Sequence, residues 1–237
     1  MRLHRFIAAN ISLQENSLAI SDPEIIHQVK NVLRLKTGEC FVICDGNSKE
    51  ATATIKNITK HEIRADLAEL RAVFTPAFKT TLYCSILKRE NFELVCQKAT
   101  ETGVSAIVPI IAQRTVKTNI KAERLNKIVK EAAEQSGRGE IPVLFPQIYF
   151  PEALDNALLH DCNFFFDSSG KPFNAAQQAY KEAGIWIGPE GGWTESETRD
   201  AKSKGFLISS LGTFTLRAET AAIIANYLVS SARKNFV

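Results

Sequence analysis

From Thr81 onward the sequence alternates short apolar runs with amphipathic helical stretches, and this alternation limits the fold more than any other feature. LYCSIL, SAIVPIIA, NFFFD, GIWIG and FLISSL read as strands. Between the first two, Phe92, Val95, Cys96 and Ala99 share one helical face, with Asn91 as its cap and Gly103 beyond its end. Leu125, Ile128, Val129, Ala132 and Ala133 mark an amphipathic helix that stops at Gly137. A last helix starts near Ala218, with Ile223, Ile224, Tyr227 and Leu228 on its apolar face. Such alternation predicts an α/β fold, a mostly parallel sheet covered on both faces.

The first seventy residues follow a different rhythm. Asp22-Pro23 is an N-cap with proline at the first helical position, and Ile25, Ile26, Val29, Val32 and Leu33 form a stripe closed by Gly38. ECFVICDG and ATATIKNI are strand-like runs about an Asp45-Gly46 turn, and HEIRADLAEL supplies another. Pro76 interrupts the pattern in FTPAFKT, which divides the chain into 1–73 and 74–237.

No apolar run approaches the roughly 20 residues of a membrane helix. MRLHRFIAAN has no long apolar stretch of the secretory kind. The five cysteines are scattered, with no C-x-x-C pair and no clustered histidines, which argues against a disulfide framework or a metal site. The expectation is a reduced, cytoplasmic protein with no metal and no membrane. Net charge is only +3, yet Arg114, Lys117, Lys121, Arg124, Lys127, Lys130 and Arg138 face only Glu123, Glu131 and Glu134 between 114 and 138. That stretch is either a solvated helix face with i,i+4 pairs or part of a nucleic-acid track.

Two strand exits carry unusual chemistry. In GIWIGPEGGWTESE, a strand ends at Gly188, Pro189 fixes a turn, Gly191-Gly192 open the backbone to a ligand, and Thr194 with Glu197 forms a capping box. In FLISSLGTFTLRAET, a strand ends at Leu211-Gly212 and Arg217 stands at the entry to the last helix. Ligands of open α/β sheets bind beyond the carboxyl ends of strands, so the two exits can line one crevice. Read singly, GPEGG also suits a tight connection, and Arg217 suits an ion pair with Glu219.

In this order the two segments resemble the cofactor-binding pair of SPOUT methyltransferases, and more narrowly the bacterial 16S ribosomal RNA uridine-N3 methyltransferase family. The match extends to the N-terminal HRF, to H-x-x-x-x-V-L-R at 27–34, to the stretch around 101–109 and to AAEQSGR at 132–138. The resemblance implies a small PUA-like β-barrel for RNA at the N-terminus, a SPOUT-type trefoil-knotted parallel-sheet domain at the C-terminus, and a homodimer acting on 16S ribosomal RNA or the small subunit. It implies S-adenosyl-L-methionine as cofactor, held by Ile187, Gly188, Pro189, Glu190, Gly191, Gly192, Leu211, Gly212 and Leu216. Arg217 is expected to donate to a uridine oxygen or a phosphate, because a guanidinium stays protonated and is no base. Glu219 or Glu190 would take the proton, Glu190 also suiting a turn residue that bonds local amides. Arg5, Arg34, Arg114, Gln135, Ser136 and Arg138 would contact RNA, Arg138 alternatively capping helix carbonyls. The alternatives are a SPOUT enzyme acting on transfer RNA and a non-catalytic RNA-binding assembly factor.

Overall fold

The computed structural model describes residues 3–8, 11–116, 118–174 and 180–231, so Lys117 of the basic stretch lies outside the described residues. The chain forms two compact units, Met1–Thr75 with Ala133–Ile141, and Pro76–Ala132 with Pro142–Val237.

In the first unit, β1 (Arg5–Ile7), β2 (Ser17–Ile20), β3 (Cys40–Cys44), β4 (Lys49–Ile58) and β5 (Ile63–Ala72) form one sheet in the order β1-β3-β4-β5-β2. Only the β1–β3 pair is parallel. Phe6, Ile25, Val29, Phe41, Ile43, Ile55 and Ile63 fill its core. Asp22 caps helix α1 (Pro23–His27) as the sequence suggests, its Oδ1 accepting from Glu24 N at 2.8 Å and Ile25 N at 3.3 Å. The stripe then departs from expectation. Residues 28–32 form a π-helical turn, closed by Leu33 N donating to Gln28 O at 2.8 Å. The wider turn breaks the 3.6-residue period, so Val32 leaves the stripe and is 63% exposed.

Residues 133–141 pack with this first unit, which a linear division at 73/74 does not anticipate. Glu134 is buried and its Oε1 accepts from Ile7 N on edge strand β1 at 2.9 Å. Gly139 O accepts from Ser48 N at 3.3 Å, and a Cβ on Gly139 would fall 2.8 Å from Ser48 Cα. These partners lie far apart in sequence, beyond the reach of periodicity.

The second unit contains β6 (Lys79–Ser85), α2 (Arg89–Glu101), β7 (Ala106–Ile111), α3 (Ala122–Ser136, its last turn grouped with the first unit), β8 (Val143–Leu144), β9 (Ile148–Tyr149), α4 (Phe150–Asn156), β10 (Cys162–Pro172), β11 (Glu182–Ile187), α5 (Glu195–Ser203), β12 (Leu207–Ser210) and α6 (Ala218–Ser231). The sheet order is β12-β10-β11-β6-β7-β8, every pair parallel, with β9 also paired to β7. This is the α/β parallel sheet that the alternation predicts. No helix among the described residues is long and apolar enough to cross a membrane.

Two local expectations need correction. Helix α2 begins after Lys88, with no side-chain cap, so Asn91 sits inside its first turn. On α6 the buried face is Ala222, Ala225, Asn226 and Val229, while Ile224, Tyr227 and Leu228 are 37%, 53% and 37% exposed. Small residues let α6 approach α2 closely, and Asn226 Nδ2 donates to Ala99 O at 3.2 Å and Thr102 Oγ1 at 2.6 Å. The bulky stripe therefore points outward.

A buried bridge ties the middle of the sheet together. Trp186 Nε1 donates to Asn163 Oδ1 at 3.0 Å, Asn163 Nδ2 donates to Ala157 O at 2.9 Å, and Trp186 stacks on Tyr83 with centroids 4.3 Å apart. Gly184 leaves the room for it, since a Cβ there would collide with Asn163 Oδ1. Gly184→Ala should therefore lower stability by about 2–3 kcal/mol through overpacking and a strained buried bond. Denaturant unfolding of both proteins checks this, and an unchanged midpoint would contradict it.

Candidate active site

Because β12, β10, β11 and β6 are adjacent and parallel, their carboxyl ends open on one edge. The segments leaving them wall a cavity of about 980 Å³. The exit of β11 supplies residues 187–193, and that of β12 supplies residues 210–219 with Ala221. Ile187, Gly188, Pro189, Glu190, Gly191, Gly192, Leu211, Gly212, Leu216, Arg217 and Glu219 thus share one cavity. The sequence reading missed its other two walls, Phe166, Asp167 and Ser168 within β10, where the pairing with β12 shifts register after Phe166, and Lys88 with Asn91 after β6. No glycine-rich turn marks either place. Only the strand order, which places β10 between β12 and β11, could have flagged them.

The GPEGG turn is fixed by its neighbours. Trp193 is buried, stacks on Phe165 at 4.4 Å and donates from Nε1 to Phe166 O at 3.0 Å. Gly188 makes space for that indole, because a Cβ would stand 3.1 Å from its ring. Gly192 and Gly212 have φ of +68° and +139°, the region where glycine carries no steric penalty, and a Cβ at either would meet nothing within 4 Å.

The capping box of α5 forms as the sequence predicts. Its Glu197 is buried, with Oε2 accepting from Thr194 N at 2.8 Å and Oε1 from Gln113 N, 84 residues away, at 2.8 Å. Next to it, Arg114 Nη1 donates to Gly191 O at 2.8 Å and Trp193 O at 3.2 Å. The strand exit after β7 is thus bolted to the turn after β11.

The two motif carboxylates differ. Glu190 Oε1 accepts from Lys88 N at 3.1 Å, at the entry to α2. Glu219, in the first turn of α6, is only 9% exposed. Arg217 is exposed and forms no ion pair with Glu219 among the described residues, which removes the reading of Arg217 as that carboxylate's partner.

The expected RNA contacts scatter more widely. Arg5 is a packing cation: its side chain is 13% exposed, paired with Glu50, and its Nη2 donates to Arg138 O at 3.0 Å. Arg138 is half-buried and burial lowers its pKa from the ordinary arginine value, Glu140 partly opposing this. Its Nε donates to Glu140 O at 3.3 Å, and its backbone N–H donates to the helix carbonyl of Ala133 at 3.0 Å. Gln135, Ser136 and Arg34 are exposed, Arg34 with φ of +54°. On α3, Arg124 makes a two-pronged contact with Glu93 at 2.6 and 2.8 Å, and Lys127 pairs with Glu131 at 4.0 Å. Arg124, aided by Arg89, holds the Glu93 carboxyl at a pKa of about 2. Part of the basic stretch is therefore a paired helix face. No group of three or more metal-binding side chains occurs among the described residues.

Fold and cavity together are those of an RNA methyltransferase. Residues 75–230 match the RNA methyltransferase domain family, and residues 20–68 match the RNA methyltransferase PUA domain. The chain is similar to the ribosomal RNA small subunit methyltransferase E of Rickettsia conorii, 32% identical over 225 residues and 92% of each chain. It is 30% identical to that of Bacillus subtilis over 223 residues and 87% of each. The structure of the ribosomal RNA small subunit methyltransferase E from Neisseria gonorrhoeae bound to S-adenosyl methionine aligns over 100% of both chains, with a TM-score of 0.87 and 29% identity. The chain belongs to the ribosomal RNA small subunit methyltransferase E family.

The cavity suits the cofactor of that family. Its volume lies in the range of small-molecule sites, and Ile187, Leu211 and Leu216 offer apolar surface for a purine. Open backbone at Gly192 and Gly212 allows close approach, and Glu190 and Asp167 offer negative charge to a sulfonium and an ammonium. Arg114→Met should keep the fold, since this side chain is exposed, but loosen the turn. Cofactor affinity should fall about tenfold, the scale of one charge-assisted hydrogen bond. Calorimetric titration with S-adenosylmethionine checks this, and wild-type affinity would show that the turn holds itself.

Proposed function

We propose that this protein methylates N3 of a uridine in small-subunit (16S) ribosomal RNA, acting in the cytoplasm as a homodimer. The observation that carries this reading is the cavity. Segments of four parallel strands and their exits converge on it, Arg217 and Glu219 line it together, and relatives about 30% identical over nearly the whole chain are named ribosomal RNA small subunit methyltransferase E. S-adenosylmethionine supplies a methyl group on positively charged sulfur, which leaves as a neutral thioether when N3 bonds the carbon.

The protein's own groups have two tasks. N3 must lose its proton, and charge then spreads to the two carbonyl oxygens of the base. Arg217, exposed and without an ion pair among the described residues, is assigned to donate to one of those oxygens or an adjacent phosphate. Glu219 is assigned to accept the proton. Glu190 suits that role less well, because its carboxylate already bonds the Lys88 amide. Gln135, Ser136 and Arg34 remain candidate RNA contacts on exposure, whereas Arg114 braces the cofactor turn.

The outward apolar face of α6 supports the homodimer, since Ile224, Tyr227 and Leu228 lie together on one helical face. Tyr227→Glu should shift the protein toward monomer in sedimentation velocity, and an unshifted dimer would place the interface elsewhere.

Nucleoside analysis of ribosomal and transfer RNA from a deletion strain separates the proposed activity from its alternatives. Loss of 3-methyluridine from 16S RNA supports it, a change confined to transfer RNA favours the other SPOUT activity, and no change favours an assembly factor. At the site, Arg217→Lys should keep cofactor affinity and lower single-turnover transfer on the order of 100-fold, because lysine lacks the planar fork. Glu219→Gln should slow transfer and recover as pH rises, when the base sheds its own proton. If Glu190→Gln shows that pattern instead, the base is Glu190.

A further inference from the structure

The 211–217 segment holds a second unusual side chain. Phe214 lines the cavity, yet 87% of its surface is exposed. Its neighbours Thr213 and Thr215 are exposed as well, so the loop does not cover the ring. By contrast Ile187 is 2% exposed and Leu211 and Leu216 are half-buried, so the apolar interior of the cavity is furnished without Phe214. Three residues on stands Arg217, exposed and without an ion pair among the described residues. An uncovered aromatic face close to an unpaired guanidinium, on the wall of one cavity, is the equipment that holds a splayed-out base. The ring stacks on the base plane, and the guanidinium reaches its edge or its phosphate.

We propose that Phe214 is the stacking platform for the pyrimidine that is methylated, setting the plane in which Arg217 meets the carbonyl oxygen. This rests on the reading of the protein as an RNA methyltransferase and adds a substrate-positioning contact to it. Adenine of the cofactor and a second subunit are the competing occupants, and both are separable by measurement.

The test uses the full-length protein with small ribosomal subunits from a deletion strain as substrate, and the variants Phe214→Ala, Phe214→Leu and Phe214→Tyr. Cofactor affinity, dimer fraction, and kcat and KM for RNA are measured for each. Phe214→Ala should lower kcat/KM for RNA about tenfold or more, the scale of a lost base stack. Phe214→Leu, apolar but without a π face, should fall nearly as far, and Phe214→Tyr should restore activity. Cofactor affinity and dimer fraction should stay at the wild-type level throughout. Undiminished kcat/KM in Phe214→Ala overturns the proposal, as does full rescue by leucine. A matching loss of cofactor affinity assigns the ring to adenine, and a matching loss of dimer assigns it to the partner. Wild-type protein that transfers no methyl group to RNA overturns the underlying reading too, whereas active wild type with an indifferent Phe214→Ala overturns the platform alone.

Discussion

Parallel pairing of β12, β10, β11 and β6 is the constraint on which the site depends. Parallel strands bring their carboxyl ends to the same edge, so four separate stretches of chain must turn there. Three of these stretches have just left a ladder and the fourth lies where β10 slips register after Phe166, so each carries backbone groups and side chains that the sheet does not use. The cavity is the space between those turns. None of the four segments makes a site alone, and β6, β10, β11 and β12 must be paired before one exists.

Turns at a strand exit have few contacts of their own, so their precision comes from anchors outside them. Trp193 nails the GPEGG turn to the middle of β10 through a ring stack on Phe165 and a hydrogen bond to Phe166 O. Arg114 and Glu197 fasten the same turn to the segment after β7. Restraint from these two directions leaves the glycines open to a ligand without leaving them loose. Preorganisation of this kind lets backbone contacts contribute to affinity without a large ordering cost on binding.

Local rules read well where the physics is local. The Asp22 cap, the Thr194–Glu197 box and the hairpin turn at Asp45-Gly46 each involve groups within four residues, and each appears as the sequence suggests. Gly46 has φ of +77°, and Asp45 Oδ1 accepts from Asn47 N and Lys49 N. The failures are of a different kind. Val32 left its stripe because one turn widened to an i→i+5 bond, which hydrophobic spacing does not encode. The outward face of α6 misled because a helix with two apolar faces has no unique inside. What decides between them is how closely α2 can approach, and Ala222 and Ala225 win over bulkier neighbours. Arg5, expected on an RNA-contacting track, is paired with Glu50, 45 residues away, which local sequence does not reveal. Phe166, Asp167 and Ser168 were silent because β10 runs on past NFFFD to Pro172 without punctuation, and only pairing on both sides by β11 and β12, with a register shift after Phe166, gives them meaning.

The two motif carboxylates show how the same fold separates structure from chemistry. Glu190 and Glu219 line one cavity and lie near the N-terminal ends of two different helices, α2 and α6. Those helices pack on each other through Asn226 and the α2 carbonyl at Ala99, so the distance between their ends is held by rigid elements. Glu190 reaches across to the amide of Lys88, and in doing so it ties the β11 turn to the β6 exit. Using it as a base would protonate an acceptor that the wall of the cavity depends on. Among the described residues Glu219 holds no such joint: it comes from the helix itself, is nearly covered, and forms no pair with the arginine two residues before it. A proton taken there disturbs no turn. Arg217 keeps its guanidinium available for the same reason, because the adjacent carboxylate does not claim it. On the proposed reading, the division of labour between these groups follows from which partners the fold leaves unfilled.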